Sequence, residues 1–239
     1  MEKHELEVCL SPQLFEYIGI SKPYTAVIVD IFRATTSIVG AMDAGVKEII
    51  PVKGFDEAKS YKEQGYLIAA EREGIVPDFA DFGNSAFNFM IPEAKGKTIA
   101  YSTTNGTKIT KMAAEEAEEV IIGSFSNIQA IADYVKSKNQ NLLIFCAGYK
   151  NKFNLEDTIF AGALTELVMN ESFDIHCDSA WAAYDLWQTA KKDVLTYIDK
   201  SSHRYRLRHL VSEELVEYTF KMNTTKVVPV LKDNRIVAL

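Results

Sequence analysis

Residues 30–36 read Asp-Ile-Phe-Arg-Ala-Thr-Thr, placing a carboxylate, a guanidinium and two hydroxyls side by side. The apolar run 26–29 before them reads as a buried strand, and 37–42 after them as the first turns of a helix. In open α/β sheets, ligands bind beyond the edge where strands end and helices begin. A helix N-terminus offers unpaired backbone N–H groups and partial positive charge, so anions settle there. Arg33 can add a bidentate grip on a phosphate or carboxylate. Asp30 cannot hold an anion, which leaves it to bind a cation or take part in chemistry.

A second junction repeats this logic. Residues 98–101 read as a strand, Ser102, Thr103, Thr104, Asn105, Gly106 and Thr107 follow, and 108–118 are helical in pattern. Gly106 lets backbone come close to a ligand. Helix capping is the competing explanation, because Ser, Thr, Asp and Asn are the preferred N-caps. Two such turns, one carrying Asp30 and Arg33, favour a site for a polyanion that includes Thr35, Thr36, Thr103, Thr104, Asn105, Gly106 and Thr107.

Other carboxylates stand where strands or loops end: Glu71 after 67–70, Asp81 in the loop beyond, and Glu156-Asp157 opening a helix after strand 142–147. Carboxylates in a first helical turn also stabilise the helix dipole, by about 0.3–1 kcal/mol. Gathered at one edge, Asp30, Glu71, Glu156 and Asp157 would suit Mg²⁺, which prefers oxygen ligands and keeps waters. Arg72 is a second anion clamp or a salt-bridge partner.

Several chemistries lack their signatures. There is no GxxxxGK[ST] or GxGxxG, and no GxSxG elbow. None of the four histidines (His4, His176, His203, His209) follows a predicted strand, which disfavours a His-based triad. The basic run 203–209 reads as a solvated helix face. Phe32 occupies the place where a haloacid-dehalogenase-type pattern needs its second Asp. The loop after Cys146 has Lys152 where a cysteine phosphatase needs the planar fork of an Arg, so Cys146 reads as buried and unreactive.

The expected elements alternate. Strands are expected at 26–32, 48–52, 66–71, 98–102, 120–125 and 142–147, with helices at 35–44, 56–64, 107–117 and 127–138. Such alternation implies an α/β fold: a layered, mostly parallel sheet with helices on both faces. The connection 72–97 is long enough to suggest an ordered site loop. Helices at 156–170, 178–198 and 202–221, then a strand at 227–231, give a largely helical C-terminal third. One domain over 1–239 is expected, any subdivision falling near 150–155.

With 47% hydrophobic and 25% charged residues, composition is that of an ordinary globular chain. A net charge of −7 argues against nucleic acid, whose backbone needs clustered Lys and Arg. No apolar stretch approaches a membrane span, and the polar start lacks a signal-peptide core, so a cytoplasmic protein is expected. Three scattered cysteines fit reduced thiols. A homo-oligomer is left open.

The segments DIFRATT at 30–36, EIIPV at 48–52, ER-x-G at 71–74, DFGNS at 81–85, TTNGT at 103–107, GSFSN at 123–127, CAG at 146–148 and ED at 156–157 occur together in this order. In combination they resemble the 2-phosphosulfolactate phosphatase family. The chain departs from the usual pattern of that family at Ala70, Glu73 and Ala86. The resemblance implies a Mg²⁺-dependent phosphatase of α/β fold acting on 2-phospho-3-sulfolactate, a step towards coenzyme M, or on a closely related small phosphorylated acid. On this reading Asp30, Glu71 and Asp157 are the catalytic residues, with Arg33, Arg72 and the two hydroxyl-rich turns holding the anions. A non-catalytic anion-binding or regulatory protein on the same fold, and a lyase or isomerase acting on a sulfo-carboxylate, are the alternatives.

Overall fold

The computed structural model describes residues 3–72, 75–103, 105–169, 172–208 and 211–239. Among the described residues ten strands form one sheet: β1 (His4–Cys9), β2 (Tyr24–Val29), β3 (Glu48–Val52), β4 (Leu67–Ala70), β5 (Thr98–Ser102), β6 (Glu119–Gly123), β7 (Asn141–Cys146), β8 (Phe173–Ile175), β9 (Pro229–Lys232) and β10 (Arg235–Ala238). The α-helices described between them are α1 (Ala34–Asp43), α2 (Phe55–Glu63), α3 (Ala86–Phe89), α4 (Asn105–Ala114), α5 (Ile128–Ser137), α6 (Leu155–Val168), α7 (Asp178–Ala190), α8 (Val194–Ile198), α9 (Ser202–Leu207) and α10 (Glu213–Phe220).

The strand order is β4-β5-β3-β10-β9-β6-β2-β7-β1-β8. The blocks β4-β5-β3 and β6-β2-β7-β1-β8 are internally parallel. The β9–β10 hairpin joins them through antiparallel pairing on both sides. Asp233 and Asn234 form its turn, both at positive φ (48° and 60°), as a two-residue hairpin of right-handed twist requires.

Alternate residues of each strand feed different cores. Val27, Val29, Leu142 and Ile144 pack with α5, α6 and α7. Ala26, Ile28, Leu143 and Phe145 pack with α1 and α4, in a cluster that also draws Ile49, Ile99 and Tyr101 from the other block. The far face of that block holds α2 through Ile50, Ile68 and Ala58. The sheet therefore curls around α1 and α4. Flat, β2 and β5 would lie five strand spacings apart, roughly 24 Å. Instead, a methyl built on Gly106 at the start of α4 would stand 2.8 Å from Ala34 Cβ and 3.5 Å from Asp30 Oδ2.

The α/β class is as read from sequence, and several details differ, among them the short β8 and β10 and the α3 turn inside the expected loop 72–97, none of which was expected. β1 was not expected, although Glu5 and Glu7 alternate with the buried Leu6 and Val8 as a half-buried strand requires. The expected helix 178–198 breaks where Asp193 accepts the Thr196 N–H at 3.1 Å. The expected helix 202–221 breaks where Ser212 accepts the Leu215 N–H at 3.2 Å. Both are new N-caps inside an otherwise helical pattern. No helix among the described residues is long and apolar enough to cross a membrane.

Gly162 lets α6 and α7 touch at the backbone: a Cβ there would lie 2.0 Å from the Ala183 carbonyl oxygen and 2.8 Å from Trp187 Cβ. Gly162→Ala is expected to lower stability by about 1–3 kcal/mol through overpacking. Urea unfolding measures this, and an unchanged midpoint would contradict the contact.

Candidate active site

β2 is buried along its whole length, so its polar successor Asp30 emerges directly from the core. The turn that follows is held by its own side chains. The Asp30 N–H donates to Thr35 Oγ1 at 3.0 Å, the Thr35 N–H to the Asp30 carbonyl at 3.0 Å, and Thr36 Oγ1 to the Ile31 carbonyl at 2.9 Å. Thr35 and Thr36, expected to bind substrate, are buried and shape this turn. The Phe32–Arg33 peptide within it is cis.

The turn after β7 comes alongside. Asp157, in the first turn of α6, accepts the Ile31 N–H on Oδ1 at 2.9 Å and the Gly148 N–H on Oδ2 at 3.0 Å. Expected among the catalytic and metal-binding residues, it ties two strand-end turns together. Burial pushes its carboxyl well up, the Glu156 and Asp30 carboxylates add to the rise, and the two N–H groups oppose it.

Glu156 is 1% exposed. Its Oε1 lies 2.6 Å from His203 Nδ1, and its Oε2 is buried with no hydrogen-bond partner among the described residues. Burial also pushes the Asp30 carboxyl up, to about 6. The His203 ring works against that rise, the Glu156 carboxylate adds to it, and the Ala34 N–H and Arg33 help to lower it. Asp30, Glu156, Asp157 and His203 thus form one electrostatic group.

Arg33 turns towards the other block, where its Nη2 meets Glu71 Oε1 at 2.5 Å with both side chains 11% exposed. Glu71, expected on a metal, is here the partner of an arginine. Arg72 is exposed and lies over the Phe55 ring at 4.3 Å. Beside it opens a cavity of about 410 Å³. Its wall carries four cations, Lys53, Arg72, Lys108 and Lys111, two carboxylates, Glu71 and Glu115, and the hydroxyls of Ser102, Thr103 and Thr107. Thr103 Oγ1 accepts the Thr107 N–H at 3.0 Å and so caps α4. Asn105 and Gly106 begin that helix, and Thr104 lies outside the described residues.

Sequence reasoning missed His203. It sits on α9, 9% exposed, with Phe32 edge-on at 5.6 Å and Tyr149 tilted at 5.9 Å. The basic run is no solvated face at this point, since Arg204 is also buried and pairs with Asp199 and Glu213. No local spacing marks His203, because its partner is Glu156 on another helix. Lys53 was missed as well, although its place directly after β3 marks it. Asp81 belongs to the scaffold, bonded to Lys62 and to the Ile68 N–H. Cys146 is fully buried, and burial pushes its thiol well up, as its sequence context suggested.

Among the described residues, no three His, Cys, Asp or Glu side chains are grouped to hold a metal by themselves. Mg²⁺ does not demand such a cage, because it commonly binds one or two carboxylates, waters and substrate phosphate. Asp30 and Glu156 with its unpartnered oxygen fit that pattern.

An α/β protein that collects buried carboxylates, a paired arginine and a basic cavity where its strands end has the parts of an enzyme for small anions. The chain belongs to the 2-phosphosulpholactate phosphatase family, whose model matches residues 9–234. It is 35% identical over 207 residues to a probable 2-phosphosulfolactate phosphatase of Thermotoga petrophila, covering 87% of this chain and 88% of that one. A protein of the same description from Carboxydothermus hydrogenoformans is 37% identical over 217 residues, covering 88% of each. One from Clostridium acetobutylicum is 32% identical over 220 residues, covering 90% of this chain and 93% of its own.

Asp30→Asn keeps an acceptor for the Ala34 N–H and removes the charge. Phosphate-release kcat is expected to fall at least about 100-fold, near 2.7 kcal/mol, with no loss of melting temperature, since the buried charge is removed. Near-wild-type kcat would return Asp30 to a capping role, since Asn caps about as well as Asp.

Proposed function

We propose that this protein is a Mg²⁺-dependent phosphatase that hydrolyses 2-phospho-3-sulfolactate, or a closely related small phosphorylated acid, to the free acid and phosphate. The observation that carries the reading is the basic cavity joined, through the Arg33–Glu71 pair, to the turn that bears Asp30. A substrate with phosphate, sulfonate and carboxylate needs several cationic partners within a small volume. Lys53, Arg72, Lys108 and Lys111 supply them, and charged hydrogen bonds are the strong ones. A volume near 410 Å³ is of the size that takes a small molecule.

Roles follow from position. Asp30 and Glu156 would hold the cation. The bound ion would polarise a phosphoryl oxygen and neutralise charge as the ester P–O bond breaks. Arg33, aimed by Glu71, would bind the phosphoryl group, and the basic wall the distal anions. Asp157 would keep the two turns in register. The relatives' descriptions support the reaction class, and the chemistry of the donor set supports the metal.

Purified protein is expected to release inorganic phosphate from phosphosulfolactate with Mg²⁺, to lose this after exhaustive chelation, and to regain it on re-addition. Full turnover without metal would contradict the metal's role. Turnover without free phosphate would favour a lyase or isomerase. Tight binding without turnover would favour an anion-binding protein.

A further inference from the structure

We infer that His203 is a positioning residue: its Nδ1–H holds Glu156 Oε1, leaving Oε2 as an oxygen ligand for a divalent cation beside Asp30. This rests on the metal-dependent reading above and adds a residue from the C-terminal third to it. Three observations carry it. The Nδ1–Oε1 separation is 2.6 Å, a short hydrogen bond, and because a carboxylate oxygen only accepts, Nδ1 carries the proton, in the neutral Nδ1–H tautomer or in the charged ring. Glu156 is 1% exposed while Oε2 has no partner among the described residues. An unpaired buried carboxylate oxygen is costly, so a fold that leaves one there has a use for it.

The third observation is that the ring itself is held. Phe32, on the Asp30 turn, meets it edge-on at 5.6 Å and 73°. Tyr149 covers it at 5.9 Å, and the Arg206 guanidinium lies over Tyr149 at 3.7 Å. The imidazole therefore fixes the direction of Glu156 just as outer partners fix metal-binding carboxylates elsewhere, where their loss typically costs 10–100-fold in metal affinity.

The test is Mn²⁺ binding to the metal-free full chain, read by electron paramagnetic resonance. The variants are His203→Phe, His203→Gln, His203→Asn, Glu156→Gln and the double variant His203→Phe/Glu156→Gln. Asn can place an N–H near the position of Nδ1; Phe and Gln cannot. His203→Phe and Glu156→Gln should each weaken Mn²⁺ at least about tenfold. His203→Asn should lie nearer wild type, and the double variant should bind no more weakly than Glu156→Gln. Thermal melts confirm folding, and His203→Gln replaces His203→Phe if the latter does not fold. Wild-type Mn²⁺ affinity in folded His203→Phe or His203→Gln, an equal loss in His203→Asn, or no Mn²⁺ binding by the wild type would overturn the inference. Phosphate release by the wild type, assayed in parallel, separates the two failures. Turnover with Mn²⁺ affinity indifferent to His203 removes only this inference, whereas no turnover removes the phosphatase reading.

Discussion

One carboxylate fixes the geometry on which the site depends. Asp157 takes the Ile31 N–H on one oxygen and the Gly148 N–H on the other, so the turns after β2 and β7 cannot move apart without breaking a buried hydrogen bond. Asp30 precedes Ile31 and Glu156 precedes Asp157, so both are placed by the same clamp. Its cost is electrostatic. Burial and mutual repulsion raise Asp30 and Asp157, so the folded protein holds these protons more tightly than the unfolded chain. For Asp30 the folded contribution is fully present below its unfolded value near 4 and is lost as pH rises through about 6. A bound cation would offset that loss.

The other half of the site arrives through the curl of the sheet. The β9–β10 hairpin stitches two parallel blocks, and the common core around α1 and α4 bends them towards each other. Arg33 and Glu71 bridge the seam from opposite blocks. The C-terminal segment thus contributes twice: its hairpin joins the blocks, and α9 carries His203 to Glu156.

Local chemistry was legible in the sequence. The Asp30 turn, the Thr103–Thr107 turn and the Glu156-Asp157 pair are polar clusters at strand-to-helix junctions, and all three lie where that pattern puts them. What a local pattern cannot carry is which partner a side chain finds. A carboxylate in a first helical turn looks the same whether it serves the helix dipole, clamps two loops as Asp157 does, or keeps an oxygen free as Glu156 does. Glu71 read as a ligand and pairs with Arg33, and His203 read as solvated and is buried. Those outcomes depend on the sheet's curl and on contacts between distant segments, neither of which leaves a periodicity to read.

The clamp is tested most directly by urea unfolding of Asp157→Asn. The amide must turn its NH₂ towards one of the two backbone donors, leaving an N–H buried and unpaired. The account predicts a loss of about 1–3 kcal/mol in unfolding free energy. Unchanged or increased stability would mean that relief of carboxylate repulsion outweighs the two hydrogen bonds, and would contradict the claim that Asp157 holds the site together.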